Sequence, residues 1–219
     1  MKKTFIVANW KSNMTSSEAK SWVEQLDIQS LDLSGKEVVI CPPLTLLSDL
    51  KLHFVNNKLN VDLGAQNISP FEEGAYTGEV SAKQVKEFVQ YVIVGHSERR
   101  KNFGETDEIL FKQFNLAREN GLKVIYCVQG KETRIPDGSD LVAYEPINAI
   151  GTGNPDSPEN AEEIAAYFKA NFKVSTVLYG GSVTADNVGS FTKMPNIDGV
   201  LVGKASLDAR EFYEIIKNA

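Results

Sequence analysis

Glu145 follows the apolar run Leu141 to Tyr144, so it puts a carboxylate where a buried strand leaves the core. Pro146 stiffens that exit and biases Glu145 towards extended backbone. Ile150-Gly151-Thr152-Gly153 comes next, and its glycines let the backbone approach a ligand closely. Taken alone, a strand-end Glu beside a turn reads as a surface ion pair. Other polar residues occupy the same kind of place. Asn9 and Lys11 follow the run Phe5 to Ala8, Gln66 and Asn67 follow Val61 to Ala65, and His96 follows Tyr91 to Val94. Gly180-Gly181-Ser182 follows Thr176 to Tyr179, and Gly203 follows Gly199 to Val202. Singly, His96 reads as a packed histidine, Lys11 as a solvated cation and Asn9 as a turn former. Brought together, a carboxylate, an imidazole and an ammonium could move a proton and stabilise the charge that this creates. The two His and two Cys are scattered and give no metal-ligand cluster.

Whether they come together depends on the elements between them. Short apolar runs alternate with segments of helical period. Ala19, Trp22, Val23 and Leu26 share one helix face from about Ser16, with Thr15 and Glu18 spaced as a capping box. Val38 to Cys41 is the second run, and residues 44–56 read as its helix. Further helices are expected near 81–89 and over 106–120, where Gly121 stops the second of these. Lys123 to Cys127 is the fifth run. Ser157 as cap and Pro158 at the first helical position open a helix through Phe168. A short helix is expected from about Thr184 and a final one from Asp208. Eight near-continuous apolar runs alternating with helices predict an all-parallel sheet covered by helices, and eight strands close a (β/α)8 barrel. An open doubly wound sheet is the alternative, but no GxGxxG follows the first run. In a parallel barrel all the polar strand ends share one face. No linker or low-complexity tract divides residues 1–219, which predicts a single domain.

One unit is short. Only 13 residues lie between Cys127 and Leu141, and they include Gly130, Pro136 and Gly138. That leaves no room or pattern for a full helix, so the fifth helix is expected to be absent or reduced to a loop. An apolar stripe beside strands five and six should then need shifted helices or a second subunit to cover it.

Composition excludes little else. Hydrophobic residues at 42% and charged ones at 24% of 219 describe an ordinary globular chain. A formal charge of −6 argues against generic binding to nucleic acid or anionic membranes. The start MKKTFIVANWK resembles a signal peptide only until Asn9 and Lys11 interrupt it, and no stretch is long enough to span a bilayer. Cys41 and Cys127 sit inside apolar runs, so reduced buried thiols and a cytoplasmic location are expected.

Five motifs in order carry a resemblance. Asn9-Trp10-Lys11, Gly74 to Ser81, Gly95-His96-Ser97-Glu98-Arg99-Arg100, Tyr144-Glu145-Pro146 with Ala149 to Gly153, and Tyr179-Gly180-Gly181-Ser182-Val183 resemble the triosephosphate isomerase family. The match runs from residue 5 to about 207. It implies reversible interconversion of D-glyceraldehyde 3-phosphate and dihydroxyacetone phosphate, in glycolysis and gluconeogenesis, without a cofactor. It assigns Glu145 as the base and His96 and Lys11 as electrophiles, with Asn9 and Glu98 beside them. That family is itself the standing example of a Glu base paired with a neutral His. Glu98 has an alternative structural reading, pairing with Lys11 or an arginine, and Cys127 reads as packing near the base. The resemblance places the phosphate on Gly151, Ser182, Gly203 and Lys204, under a lid of Pro146, Ala149, Ile150, Gly151, Thr152 and Gly153. Thr77 would reach the partner's Asn9 and Lys11 in a homodimer, with a tetramer as the larger alternative.

The chain also departs from that pattern. Asn148 stands where the family usually has a hinge Trp, and Lys204 replaces the second glycine of a Gly-Gly pair. Val128-Gln129-Gly130-Lys131-Glu132 disturbs the usual Gly-Glu after the strand-five Cys. Lys204 should accept a left-handed backbone less readily than Gly. A phosphate-binding barrel that has lost catalysis is a second reading, favoured by the short fifth unit and Asn148. An aldolase-type barrel is a third, but its Schiff-base Lys would be expected where Glu145 stands.

Overall fold

The computed structural model describes residues 3–147, 149 and 153–219. Within them eight parallel strands pair in sequence order, and β1 pairs with β8 to close a barrel. The strands are β1 (Thr4–Asn9), β2 (Lys36–Cys41), β3 (Asp62–Ala65), β4 (Tyr91–Val94), β5 (Lys123–Val128), β6 (Leu141–Tyr144), β7 (Thr176–Tyr179) and β8 (Gly199–Val202). The helices are α1 (Ser16–Leu26), α2 (Leu47–Asn56), α3 (Ala82–Lys86), α4 (Ser97–Phe103), α5 (Asp107–Glu119), α6 (Pro158–Phe172), α7 (Val188–Thr192) and α8 (Ala209–Asn218).

Side chains alternate along every strand, so each one feeds two cores. Val7, Val39, Cys41, Ile93, Ile125, Cys127, Ala143, Leu178 and Leu201 fill the barrel interior. Ile6, Ala8, Val38, Ile40, Tyr126, Val142 and Val200 point outward into the layer beneath the helices. Local signals read from the sequence set several helix ends. Thr15 and Glu18 form the capping box of α1, and Ser157 caps α6 with Pro158 inside the first turn. Asp208 caps α8 instead of starting it, because its side chain accepts from the N–H groups of Arg210 and Glu211. The helix expected over 81–89 is confined to Ala82–Lys86, and the one expected from Thr184 begins at Val188. Residues 44–46 form a 3-10 turn before α2. A second helix after strand four, α4, stands directly behind His96, where Ser97-Glu98 is only a faint local signal for it.

Residues 129–140 contain no helix, as expected. The uncovered stripe does not follow. Tyr126, Val128 and Val142 are 0% exposed and Tyr144 is 6% exposed within this one chain. The connecting loop lies over them: Ile135 packs on the core, and Arg118 on α5 donates to the carbonyl of Gly138 at 2.7 Å. Arg134 stacks over Phe111 of α5, and Lys131 over Tyr167 of α6. Pro136 and Ser139 are buried as well, so the loop itself takes the place that a helix would otherwise fill.

Candidate active site

The carboxyl ends of the strands open into a cavity of about 840 Å³ lined by Asn9, Lys11, His96, Glu145, the turn 180–183 and Gly203 with Lys204. Asn9 ends β1, and Lys11 adopts a left-handed backbone at φ 53°. For a non-glycine residue that conformation costs about 1–3 kcal/mol, and here bonds on both sides of Lys11 hold it. Its N–H donates to Asn9 Oδ1 at 3.1 Å, and its carbonyl accepts from Gln66 Nε2 at 2.8 Å. Gln66 also donates to the Cys41 carbonyl at 2.9 Å, which ties the Lys11 loop to β2.

His96 is the N-cap of α4, reached through Gly95 at φ 78°. Its Nδ1 accepts the Glu98 N–H at 3.2 Å and so carries no proton. Nε2 is therefore the ring nitrogen left to donate, and the positive end of α4 stands behind the ring. Nε2 lies 3.0 Å from Glu145 Oε1, and Glu145 Oε2 accepts the Ser97 N–H at 2.8 Å. Burial alone would raise the Glu145 pKa, but charge attraction to His96 and the hydrogen bonds from His96 and Ser97 outweigh it and leave the carboxyl lowered, hence ionised. Cys127 lies close enough for the carboxylate to matter. Burial first, and Glu145 second, push its thiol well up, so it stays protonated. Both cysteines are free and buried.

Glu98 takes its pairing role: Oε1 meets Lys11 Nζ at 2.5 Å, and Oε2 is 3.8 Å from His96 Nδ1. It therefore spans the two electrophile candidates without lining the cavity. On the opposite wall Gly180 and Gly181 sit where side chains cannot. A Cβ on Gly180 would stand 3.1 Å from Glu145 Cγ, and one on Gly181 2.1 Å from the Tyr179 hydroxyl. A Cβ on Gly203 would stand 3.4 Å from Lys11 Cε, so the ammonium arm crosses to the β8 turn. With no side chains in the way, the main chain of these turns lines the cavity and can approach an anion closely. Lys204 opens a 3-10 turn (Lys204–Leu207) and is not among the residues with positive φ, so the expected backbone cost of replacing glycine there is absent.

Pro146, Ala149 and Gly153 fall within the described residues; Asn148, Ile150, Gly151 and Thr152 lie outside them. The Ser182 hydroxyl donates to the Ala149 carbonyl at 2.7 Å, which ties the turn after β7 to this loop. Thr77 is exposed on the loop between β3 and α3, where Phe71 stacks on Tyr76, and does not line the cavity.

A family model for triosephosphate isomerase matches residues 4–219. The chain belongs to the triosephosphate isomerase family. Curated relatives bearing that name include proteins from Dehalococcoides mccartyi, 38% identical with 100% of this chain and 97% of the relative covered. Those from Hahella chejuensis (37% identical, 100% and 99% covered) and Herpetosiphon aurantiacus (36%, 99% and 99%) are similar over the same extent. The alignments run over 248 to 250 positions, longer than this chain, so these triosephosphate isomerase relatives carry residues that it lacks. Sequence patterning picked out most of the cavity lining but gave Gln66 no role and left Ser97 N–H and the Tyr179 hydroxyl out. These act through bonds to groups far away in the chain, which leave no periodicity or spacing to read.

Proposed function

We propose that this chain interconverts D-glyceraldehyde 3-phosphate and dihydroxyacetone phosphate through an enediolate, with Glu145 as the base. The observation that carries the reading is the buried Glu145 carboxylate 3.0 Å from His96 Nε2 at the wall of a cavity that also admits Lys11. Glu145 has to leave His96 and Ser97 to reach the substrate. It then takes a proton from the carbon beside the carbonyl and returns it to the neighbouring carbon. His96 Nε2–H and the Lys11 ammonium face the oxygens on which charge develops. A neutral imidazole can lend its proton to one oxygen and recover it from the other, which an imidazolium would do with less basic return. Asn9 positions Lys11, and Glu98 holds the ammonium from behind. The phosphate would lie on main-chain donors of Ser182, Gly203 and Lys204, with Gly151 completing the set from the loop 146–153, which acts as a lid.

One domain over residues 1–219, a cytoplasmic setting suited to two reduced thiols, and a homodimer in which Thr77 reaches the neighbour's Asn9 and Lys11 complete the proposal. No helix among the described residues is long and apolar enough to cross a membrane. A coupled assay of isomerase turnover tests the function directly. The native chain should turn over glyceraldehyde phosphate, and Glu145→Gln should lose about 10²–10⁴-fold in kcat. An inactive native chain refutes the function, and a fully active Gln variant refutes the assignment of the base.

A further inference from the structure

Asp156 lies outside the cavity, one residue before the cap of α6, and makes four hydrogen bonds there. Its Oδ2 accepts the Tyr144 hydroxyl at 3.1 Å and Asn160 Nδ2 at 2.6 Å, and its Oδ1 accepts the Ser157 N–H at 2.8 Å. Its own N–H donates to the Tyr179 hydroxyl at 2.8 Å. Tyr179 is in turn fixed by stacking on Phe191, with centroids 3.8 Å apart and planes 7° from parallel. One residue therefore joins the outer ends of β6 and β7 to the start of α6.

We propose that Asp156 is a positioning residue for the isomerisation: by holding the Tyr144 hydroxyl it fixes the strand end that presents Glu145. This rests on the reading of Glu145 as the base. Tyr144 is the residue immediately before Glu145, and its backbone is held from both neighbouring strands. The Gly180 N–H donates to the Tyr144 carbonyl at 2.7 Å, and the Glu145 N–H donates to the Val128 carbonyl at 2.7 Å. Those bonds fix the strand within the sheet but not its tilt towards the outer layer. In a complete unit the helix between β5 and β6 would pack there. Here that helix is missing, and the Tyr144 ring extends outward to a carboxylate instead. Burial, and then the carboxylate beside it, push the Tyr144 pKa up, so the hydroxyl remains a donor across the working range.

The consequence is chemical. If the strand end drifts, the protonated base reaches the second carbon more slowly and the enediolate waits longer. A waiting enediolate can expel its phosphate: the carbon–oxygen bond to phosphate breaks, the electron pair leaves with inorganic phosphate, and one enediolate oxygen becomes a carbonyl. The enol left behind tautomerises to methylglyoxal. Phosphate release per isomerisation therefore reports base placement, and a general loss of folded protein does not change that ratio.

The test compares the purified full chain with Asp156→Ala, Asp156→Asn, Tyr144→Phe and the Asp156→Ala/Tyr144→Phe double variant, measuring isomerisation, inorganic phosphate release and thermal midpoint. The Ala and Phe variants should lose about tenfold to a hundredfold in kcat with little change in KM, and should release a larger share of phosphate. The double variant should be no worse than the poorer single one, because both remove the same bond. The Asn variant keeps an acceptor for Tyr144 and should recover most of the loss. Asp156→Ala that lowers the thermal midpoint while kcat, KM and the phosphate share stay native would make Asp156 a purely structural tie and overturn the proposal. Tyr144→Phe removes only an oxygen, so it decides the matter if the Ala variant does not fold. A native chain without isomerase activity defeats the functional reading and this proposal with it. An active native chain that Tyr144→Phe matches in every readout defeats this proposal alone.

Discussion

Replacing Gln66 by Met would test what holds Lys11 in its left-handed backbone. The change keeps side-chain length and removes one amide that donates to two carbonyls, Lys11 at 2.8 Å and Cys41 at 2.9 Å. The two losses are unequal. The Cys41 carbonyl still accepts the Trp10 N–H at 3.1 Å, so its share is an ordinary hydrogen bond of about 1 kcal/mol. The Lys11 carbonyl loses the donor that pins it, at about 1–2 kcal/mol. Against this, Lys11 can relax out of φ 53° and recover part of a strain of about 1–3 kcal/mol. Net destabilisation should be about 1–2 kcal/mol, a thermal midpoint lower by roughly 2–8 °C for a chain of this size. The relaxation that limits the stability loss also moves the ammonium, and a misplacement near 1 Å costs about a hundredfold in turnover. Thermal unfolding and steady-state kinetics on the same preparation separate the two effects. A variant with the expected midpoint but native kcat and KM would show that Asn9 alone holds Lys11 and would refute the reasoning.

The pKa of Glu145 is lowered on folding, so its stabilising contribution is present above the unfolded value of about 4.3 and is lost as pH falls through the folded value. Acid unfolding of Glu145→Gln should therefore be shallower than that of the native chain, and the acid limb of native kcat/KM should lie below the ordinary glutamate range. Equal acid sensitivity in the two proteins would count against an ionised Glu145 in the folded state. Gly138→Ala forces alanine into φ 77° and places a methyl 2.1 Å from Arg118 Nη1, so it should cost about 2 kcal/mol and speed proteolysis within residues 129–140. A native midpoint would mean that the loop, not the arginine, covers β5. Gly181→Ala drives a methyl onto the Tyr179 hydroxyl and should cost about 1–3 kcal/mol by overpacking, read by denaturant titration.

Local chemistry made much of this legible from residue order. The eight apolar runs had to be buried on both faces, which only a covered parallel sheet allows, and eight of them close. Caps such as Thr15 with Glu18, and Ser157 with Pro158, fixed helix starts because they act within four residues. The missing helix was readable as a shortage of residues before β6. Glu145, His96, Lys11 and Asn9 could be named because each lies at or just beyond a strand end, and parallel strands send all such residues to one face.

What lay beyond the sequence was every contact that depends on two distant elements meeting. That His96 donates through Nε2 follows from α4 standing behind it and offering the Glu98 N–H to Nδ1. That Glu145 is ionised depends on donors some 48 residues away along the chain. The stripe beside β5 and β6 was expected to need shifted helices or a second subunit, and it is buried within the one chain, where Ile135 of the connecting loop packs on the core and Arg134 and Lys131 reach rings of α5 and α6. Gln66 stood out only as a strand-end residue and Asp156 not at all, since a single side chain bonded across the fold leaves no trace of its partner in spacing. Hydrophobic periodicity and strand ends thus put Asn9, Lys11, His96 and Glu145 on one face, because those depend on neighbours in the chain, and the family resemblance supplied their roles. Only closure of the barrel decided their charge, their tautomer and the bonds that hold them, because each is set by groups that folding alone brings within hydrogen-bond distance.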